Sequence, residues 1–192
     1  TLLAWKNSDK KECLLVKGAR QVGKTYLIRK FGENEYDSFV EINFHEQKSL
    51  KVIFDGDKTA EEIYKRLTAN IPGVRLIPGK TLIFLDEIQK CADARTALKF
   101  LAEDGRYDII ASGSFLGLSY GKDDDSEVKP VESIPVGYEK AVMMYSMDFE
   151  EFLWAYGYTE ETVAYLKSFY TSKEKVPTEI HEKFEGLMRE YL

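Results

Sequence analysis

The chain has 192 residues, of which 44% are hydrophobic and 31% charged, with a net charge of −6. This is the balance of a soluble globular protein, long enough to bury a core in one domain plus an appendage. It excludes bulk electrostatic attraction to nucleic acid or an anionic membrane, and no uninterrupted apolar stretch approaches the ~18 residues of a membrane-spanning helix.

The start, Thr1-Leu2-Leu3-Ala4-Trp5-Lys6, lacks the pattern of a signal peptide, and the absence of an initial Met points to a fragment of a longer chain. Cys13-Leu14-Leu15-Val16 is a short apolar run of buried-strand type. It leads into Gly18-Ala19-Arg20-Gln21-Val22-Gly23-Lys24-Thr25, a complete G-x-x-x-x-G-K-[ST] sequence. In such a loop the glycines let the backbone curl so that N–H groups face phosphate oxygens. The lysine neutralises the β and γ phosphates, and the threonine hydroxyl takes a position on Mg²⁺. Tyr26 follows directly, and Leu27, Ile28 and Phe31 give the next stretch a helical face.

Residues 38–44 alternate apolar and polar, which predicts a strand. Residues 47–71 are helical in type, with Ala60, Ile63, Tyr64 and Leu67 on one face. Thr81-Leu82-Ile83-Phe84-Leu85 is a continuous apolar run, predicted to be a strand buried on both faces. Residues 94–103 return to helical spacing, and residues 107–113 read as another buried strand. The polar stretch 120–133 predicts a solvated loop; its acids lack the D-x-[DN]-x-[DN]-G arrangement of a Ca²⁺ loop. Val136 and residues 141–145 suggest a last strand segment. Helices are predicted over 148–156, 160–170 and 178–192, with Asp148 and Thr159 as N-caps and Pro177 at the start of the last. In the first of these, Phe149, Phe152, Leu153 and Tyr156 share a face suited to internal packing, the alternative being a surface for a partner. Alternating strands and helices predict an α/β fold with a parallel sheet covered on both faces. The organisation expected is a core over residues 1–146 and a helical extension over 147–192.

Asp86 and Glu87 end the third strand run, 62 residues after Lys24. A carboxylate at the C-terminal edge of a buried strand lies where ligands bind in open α/β sheets. Asp86 is therefore expected to hold Mg²⁺ opposite Thr25, and Glu87 to be the general base that orients and deprotonates an attacking water. No Asn-Lys-x-Asp guanine reader is present, which favours ATP over GTP. Ser112 and Ser114 end the next strand and could face the γ phosphate or the water; Ser112 is preferred as this sensor. Two isolated cysteines predict reduced thiols, which suits the cytoplasm, and His45 and His181 lack the spacing of a zinc site.

Read together, residues 18–26, Ile42-Asn43-Phe44, Leu85-Asp86-Glu87-Ile88-Gln89, Ala111-Ser112-Gly113-Ser114-Phe115-Leu116-Gly117, Pro135-Val136-Gly137 and Phe149-Glu150-Glu151-Phe152-Leu153 closely resemble a group of prokaryotic AAA-like P-loop ATPases related to archaeal and STAND-type ATPases. The resemblance runs from about Leu2 to the end of the chain. It implies a three-layer αβα sandwich of P-loop NTPase type with strand order 5-1-4-3-2. It implies that Gly18, Ala19, Arg20, Gln21, Val22, Gly23, Lys24, Thr25 and Tyr26 bind ATP, that Thr25 and Asp86 serve Mg²⁺, and that Lys24, Glu87 and Ser112 carry catalysis. Members of the group usually continue into a restriction-endonuclease-like C-terminal domain, absent here. Arg95 and Arg106 are candidates for the arginine finger that many AAA ATPases take from a neighbouring subunit; Arg20 could shield the triphosphate or pair with a carboxylate.

Two functions from different classes follow. The first is a Mg²⁺-dependent ATPase that drives or switches an attached domain. The second is a slow-turnover switch that binds ATP or ADP and signals through its helical tail. A DNA-related role would rest only on the missing domain. The expected partners are ATP and ADP, with a homo-oligomer or partner protein open, no membrane, and no nucleic acid for this stretch.

Overall fold

The computed structural model describes residues 1–8, 12–114 and 137–192. The expected loop at 120–133, and Phe115, Leu116, Gly117, Pro135 and Val136, lie outside the described residues. Two compact units are present, Thr1–Tyr145 and Ser146–Leu192.

The first unit is built on strands β1 (Cys13–Gly18), β2 (Ser38–Asn43), β3 (Thr81–Asp86), β4 (Asp108–Ser114) and β5 (Glu139–Met143). All pairings are parallel and the order is β2-β3-β4-β1-β5, which from the other edge is 5-1-4-3-2. Helices α1 (Leu2–Lys6), α2 (Lys24–Glu35), α3 (Ala60–Asn70) and α4 (Ala92–Asp104) cover its faces. The period-2 geometry of a strand divides the side chains between those faces. Leu14, Val16, Leu82, Phe84 and Ile110 join Trp5, Ile28 and Phe31 in one core under α1 and α2. Cys13, Leu15, Ile83, Leu85, Ile109 and Ala111 join Ile63, Leu67, Leu98 and Leu101 in another under α3 and α4. Strands enclosed on both sides are apolar through their middle, and every residue of β3 is buried, Leu82 to Leu85 as an apolar run between Thr81 and Asp86.

Three elements differ from the sequence pattern. Residues 47–71 form not one helix but a 3-10 segment, Lys48–Phe54, and then α3. Between them Gly56 turns with φ +70°, Asp57 Oδ1 accepts from Thr59 N at 2.8 Å, and Arg66 donates to the Asp55 and Asp57 carbonyls. That local side-chain hydrogen bonding outcompetes the helix. Helix α1, too short to show a period, is anchored by Trp5, which is buried and donates from Nε1 to Glu12 O at 2.8 Å. The edge strand β5 begins with Glu139, whose carboxylate receives a two-pronged hydrogen bond from buried Arg95 on α4.

The second unit is three helices, α5 (Phe149–Ala155), α6 (Glu160–Ser172) and α7 (Thr178–Tyr191). Asp148 and Glu151 form a complete capping box on α5, and Thr159 caps α6. The core is small: Leu153, Val163 and Leu187 are buried, with Phe149, Phe152, Tyr158, Leu166 and Phe184 packed on them. Phe149 and Phe152 both meet the Tyr191 ring, with centroids at 5.7 and 5.6 Å, and Leu153 is buried, so these three pack internally, whereas Tyr156 on the same face is 56% exposed and Trp154 44%.

Candidate functional site

The C-terminal ends of β1, β2, β3 and β4 lie side by side, and the polar residues of the sequence motifs collect there. β1 ends at Gly18, where an added methyl group would overlap the carbonyl oxygen of Met144. The loop that follows turns through two left-handed residues, Gln21 with φ +65° and Gly23 with φ +91°. Such alternation lets successive N–H groups face a common concavity. Gly23 is the N-cap of α2, which has neither a side-chain cap nor an acidic residue in its first turn. An anion can therefore meet the positive end of the helix without competition from its own side chains.

Lys24 is only 6% exposed; its ammonium donates to the carbonyls of Gly18 at 3.1 Å and Ala19 at 2.6 Å. The loop thus carries its cation folded against its own backbone. Thr25, the next residue, donates from Oγ1 to Asp86 Oδ2 at 2.9 Å. Tyr26 is 69% exposed beside it, and Ala19, Arg20 and Gln21 are exposed as well, with Val22 half-buried.

Asp86 is the hub. It is 2% exposed and its carboxylate accepts from four donors on four segments: Thr25 Oγ1, Asn43 Nδ2 at 3.1 Å, its neighbour Glu87 N at 3.0 Å, and Ser112 Oγ. A buried carboxylate is tolerated only when its lone pairs are used in this way. Asn43 is held in turn, because its Oδ1 accepts from His45 N at 2.9 Å and Glu46 N at 3.1 Å. Ser112 is completely buried, so its hydroxyl serves Asp86 from within. Ser114 is the half-exposed serine of the pair.

Glu87 follows with a left-handed backbone, φ +53° and ψ +44°, a conformation costing a residue with a Cβ on the order of 1 kcal/mol. It turns the chain out of the sheet, and its carboxylate accepts from Gln89 Nε2 at 2.5 Å. The same Nε2 donates to Ser114 Oγ at 3.2 Å.

The geometry brings Lys24, Thr25, Asp86, Glu87, Ser112 and Ser114 together at one sheet edge. It does not bring Arg95 or Arg106 there: Arg95 is committed to Glu139 and 6% exposed. Arg106 pairs with Asp104 and Glu61 and lies over the Tyr64 ring. Asn43 and Gln89 are the residues whose parts the sequence pattern alone did not assign. Their signals were polarity at the end of a strand and just past a carboxylate pair, and a place in the motifs that carry the family resemblance. A cavity of about 350 Å³ lies elsewhere, between the start of β2 and residues 72–77, and contains none of these side chains.

The donor set fits a magnesium ion. A hydroxyl and a carboxylate 2.9 Å apart are hard oxygen ligands, and Mg²⁺ takes one or two such groups while keeping waters and phosphate oxygens for the rest. Among the described residues, no helix is long and apolar enough to cross a membrane.

Comparison with known proteins adds a family. The family model described as an AAA domain matches residues 10–153, three quarters of the chain. No curated protein sequence matches. Among solved structures, that of C. elegans PCH-2 is similar over 79% of this chain and 41% of that one, with 14% identity and a TM-score of 0.45. This chain therefore spans less than half of that protein.

Proposed function

The chain belongs to the AAA domain family of P-loop ATPases, and from that premise we propose that it binds Mg²⁺-ATP at the sheet edge and hydrolyses it to ADP and phosphate. The observation that carries this reading is the 2.9 Å hydrogen bond from Thr25 to Asp86, which joins two motifs 61 residues apart. Two residues selected independently for magnesium meet at the distance a shared ion requires of neighbouring ligands.

Each side chain then has a task. The amides of residues 18–25 and the N-terminus of α2 hold the phosphates, and Lys24 transfers its donors from the Gly18 and Ala19 carbonyls to them. Thr25 and Asp86 would hold Mg²⁺, which when bound supplies charge neutralisation on the phosphoryl oxygens. Asn43 and Ser112 keep Asp86 aimed. Glu87 orients the attacking water and takes its proton, as a general base must from within hydrogen-bond reach. Exposed Tyr26 and Arg20 are free to meet the rest of the nucleotide. Oligomerisation, a cytoplasmic setting and an attached domain that uses the hydrolysis belong to the same proposal, as does the reading of residues 147–192 as an extension of the ATPase core.

The test compares steady-state phosphate release and ATP affinity for the wild type and Glu87→Gln. The variant is expected to bind ATP as before and to lose at least ~100-fold in turnover. Equal turnover by wild type and variant would sink the hydrolytic role of Glu87. If both bind ATP and neither turns it over, the chain is a nucleotide-dependent switch.

A further inference from the structure

The backbone ladder between β3 and β4 ends one residue short of the carboxylates: its last pair is Leu85 with Ala111. Past that point the two strands are joined by side chains. Ser112 and Ser114 lie two apart on β4 and so project from the same face. Ser112 donates to Asp86 directly. Ser114 reaches Glu87 through one intermediary, the carboxamide of Gln89, whose Nε2 donates 2.5 Å to Glu87 Oε2 and 3.2 Å to Ser114 Oγ.

That carboxamide can face only one way. Turned over, its oxygen would oppose the Glu87 carboxylate, so the nitrogen takes the inner position. Gln89 Oε1 is then buried with no hydrogen-bond partner among the described residues. A buried polar atom left without a partner costs free energy, which the two hydrogen bonds of the other half of the group offset. Glu87 needs that half: its left-handed backbone projects it from the strand end, and its side chain has three rotatable bonds. A general base is effective only when fixed against its water.

We infer that Gln89 is a positioning residue, which clamps the Glu87 carboxylate to the end of β4 so that β4 aims both carboxylates, Asp86 through Ser112 and Glu87 through Gln89 and Ser114. This rests on the reading of Glu87 as the hydrolytic base. Gln89 acts through Glu87, the carboxylate its Nε2 holds.

The experiment measures kcat, KM and ATP dissociation constant for wild type, Gln89→Ala, Ser114→Ala, Glu87→Gln and the double variant Glu87→Gln/Gln89→Ala. Gln89→Ala is expected to lower kcat at least ~10-fold with ATP affinity changed less than ~2-fold, and to add nothing in the Glu87→Gln background. Ser114→Ala shifts kcat in the same direction by less. If Glu87→Gln is inert while Gln89→Ala turns over like wild type or faster, the clamp is wrong and the hydrolytic reading survives. A parallel loss of affinity and kcat, or a further loss in the double variant, also overturns it, because a merely structural role would produce either. If Glu87→Gln itself keeps full turnover, the failure lies in the hydrolytic reading. Should Gln89→Ala fail to fold by circular dichroism, an unchanged kcat in Ser114→Ala overturns the clamp.

Discussion

A charged or reactive group taken out of water must be matched atom by atom, and residues treated in both ways occur in this sheet. Asp86 keeps four donors. Cys13 keeps one weak acceptor, donating from Sγ to Leu98 O at 3.4 Å, and its thiol is pushed up to about 12, chiefly by burial and then by the Glu139 carboxylate, with Arg95 pulling the other way. A thiol raised above its unfolded value stays protonated in the fold and stabilises it fully below pH 9. The contribution is lost as the pH climbs from 9 towards 12. Buried Cys91 and partly buried Tyr36 are raised in the same direction, by burial first. Urea unfolding is therefore expected to show stability falling across that window, and Cys13→Ala to flatten part of the fall; an unchanged slope in the variant would contradict this. The same residue scale shows what the sequence could convey about the site. Lys24, Thr25, Asp86 and Glu87 are legible because a fixed spacing carries their chemistry. Asn43 and Gln89 are not, because their partners are set by which strand end lies next to which.

At the scale of elements, the strands were legible wherever burial on both faces gave them an apolar middle, as in β1, β3 and β4. The break between the 3-10 segment and α3 was not, since Asp57 and Arg66 decide it through hydrogen bonds to the backbone that no hydrophobic period records. Edge strand β5 was harder to bound, because only one side of it is covered by a neighbouring strand. What ties it down is Arg95 on α4, with both partners of the ion pair below 10% exposure. Breaking such a pair strands a charge. Arg95→Ala is expected to destabilise the first unit by about 3–5 kcal/mol in chemical denaturation, whereas Arg95→Met with Glu139→Leu recovers most of that loss. A loss below ~1 kcal/mol for Arg95→Ala would show that Glu139 finds water instead.

At the scale of the whole molecule the two units differ in how much they bury. The first has two cores on either side of a five-stranded sheet; the second rests on three buried side chains and an aromatic cluster. Small helical units with so little core are marginal on their own. Hydrogen exchange read by mass spectrometry is expected to find the amides of β1, β3 and β4 slowest and those of α5, α6 and α7 markedly faster; equal protection would disprove the ranking. The close approach of Met144 to Gly18 bears on a different matter, the reading of ancestry. A side chain at that position is barred by the strand leaving the sheet, whether or not a phosphate ever arrives. A descendant that had abandoned nucleotides would still be obliged to keep this glycine for as long as its fifth strand left by the same route. Its retention in a distant cousin therefore records architecture, and only the lysine and threonine that follow can testify to the ligand.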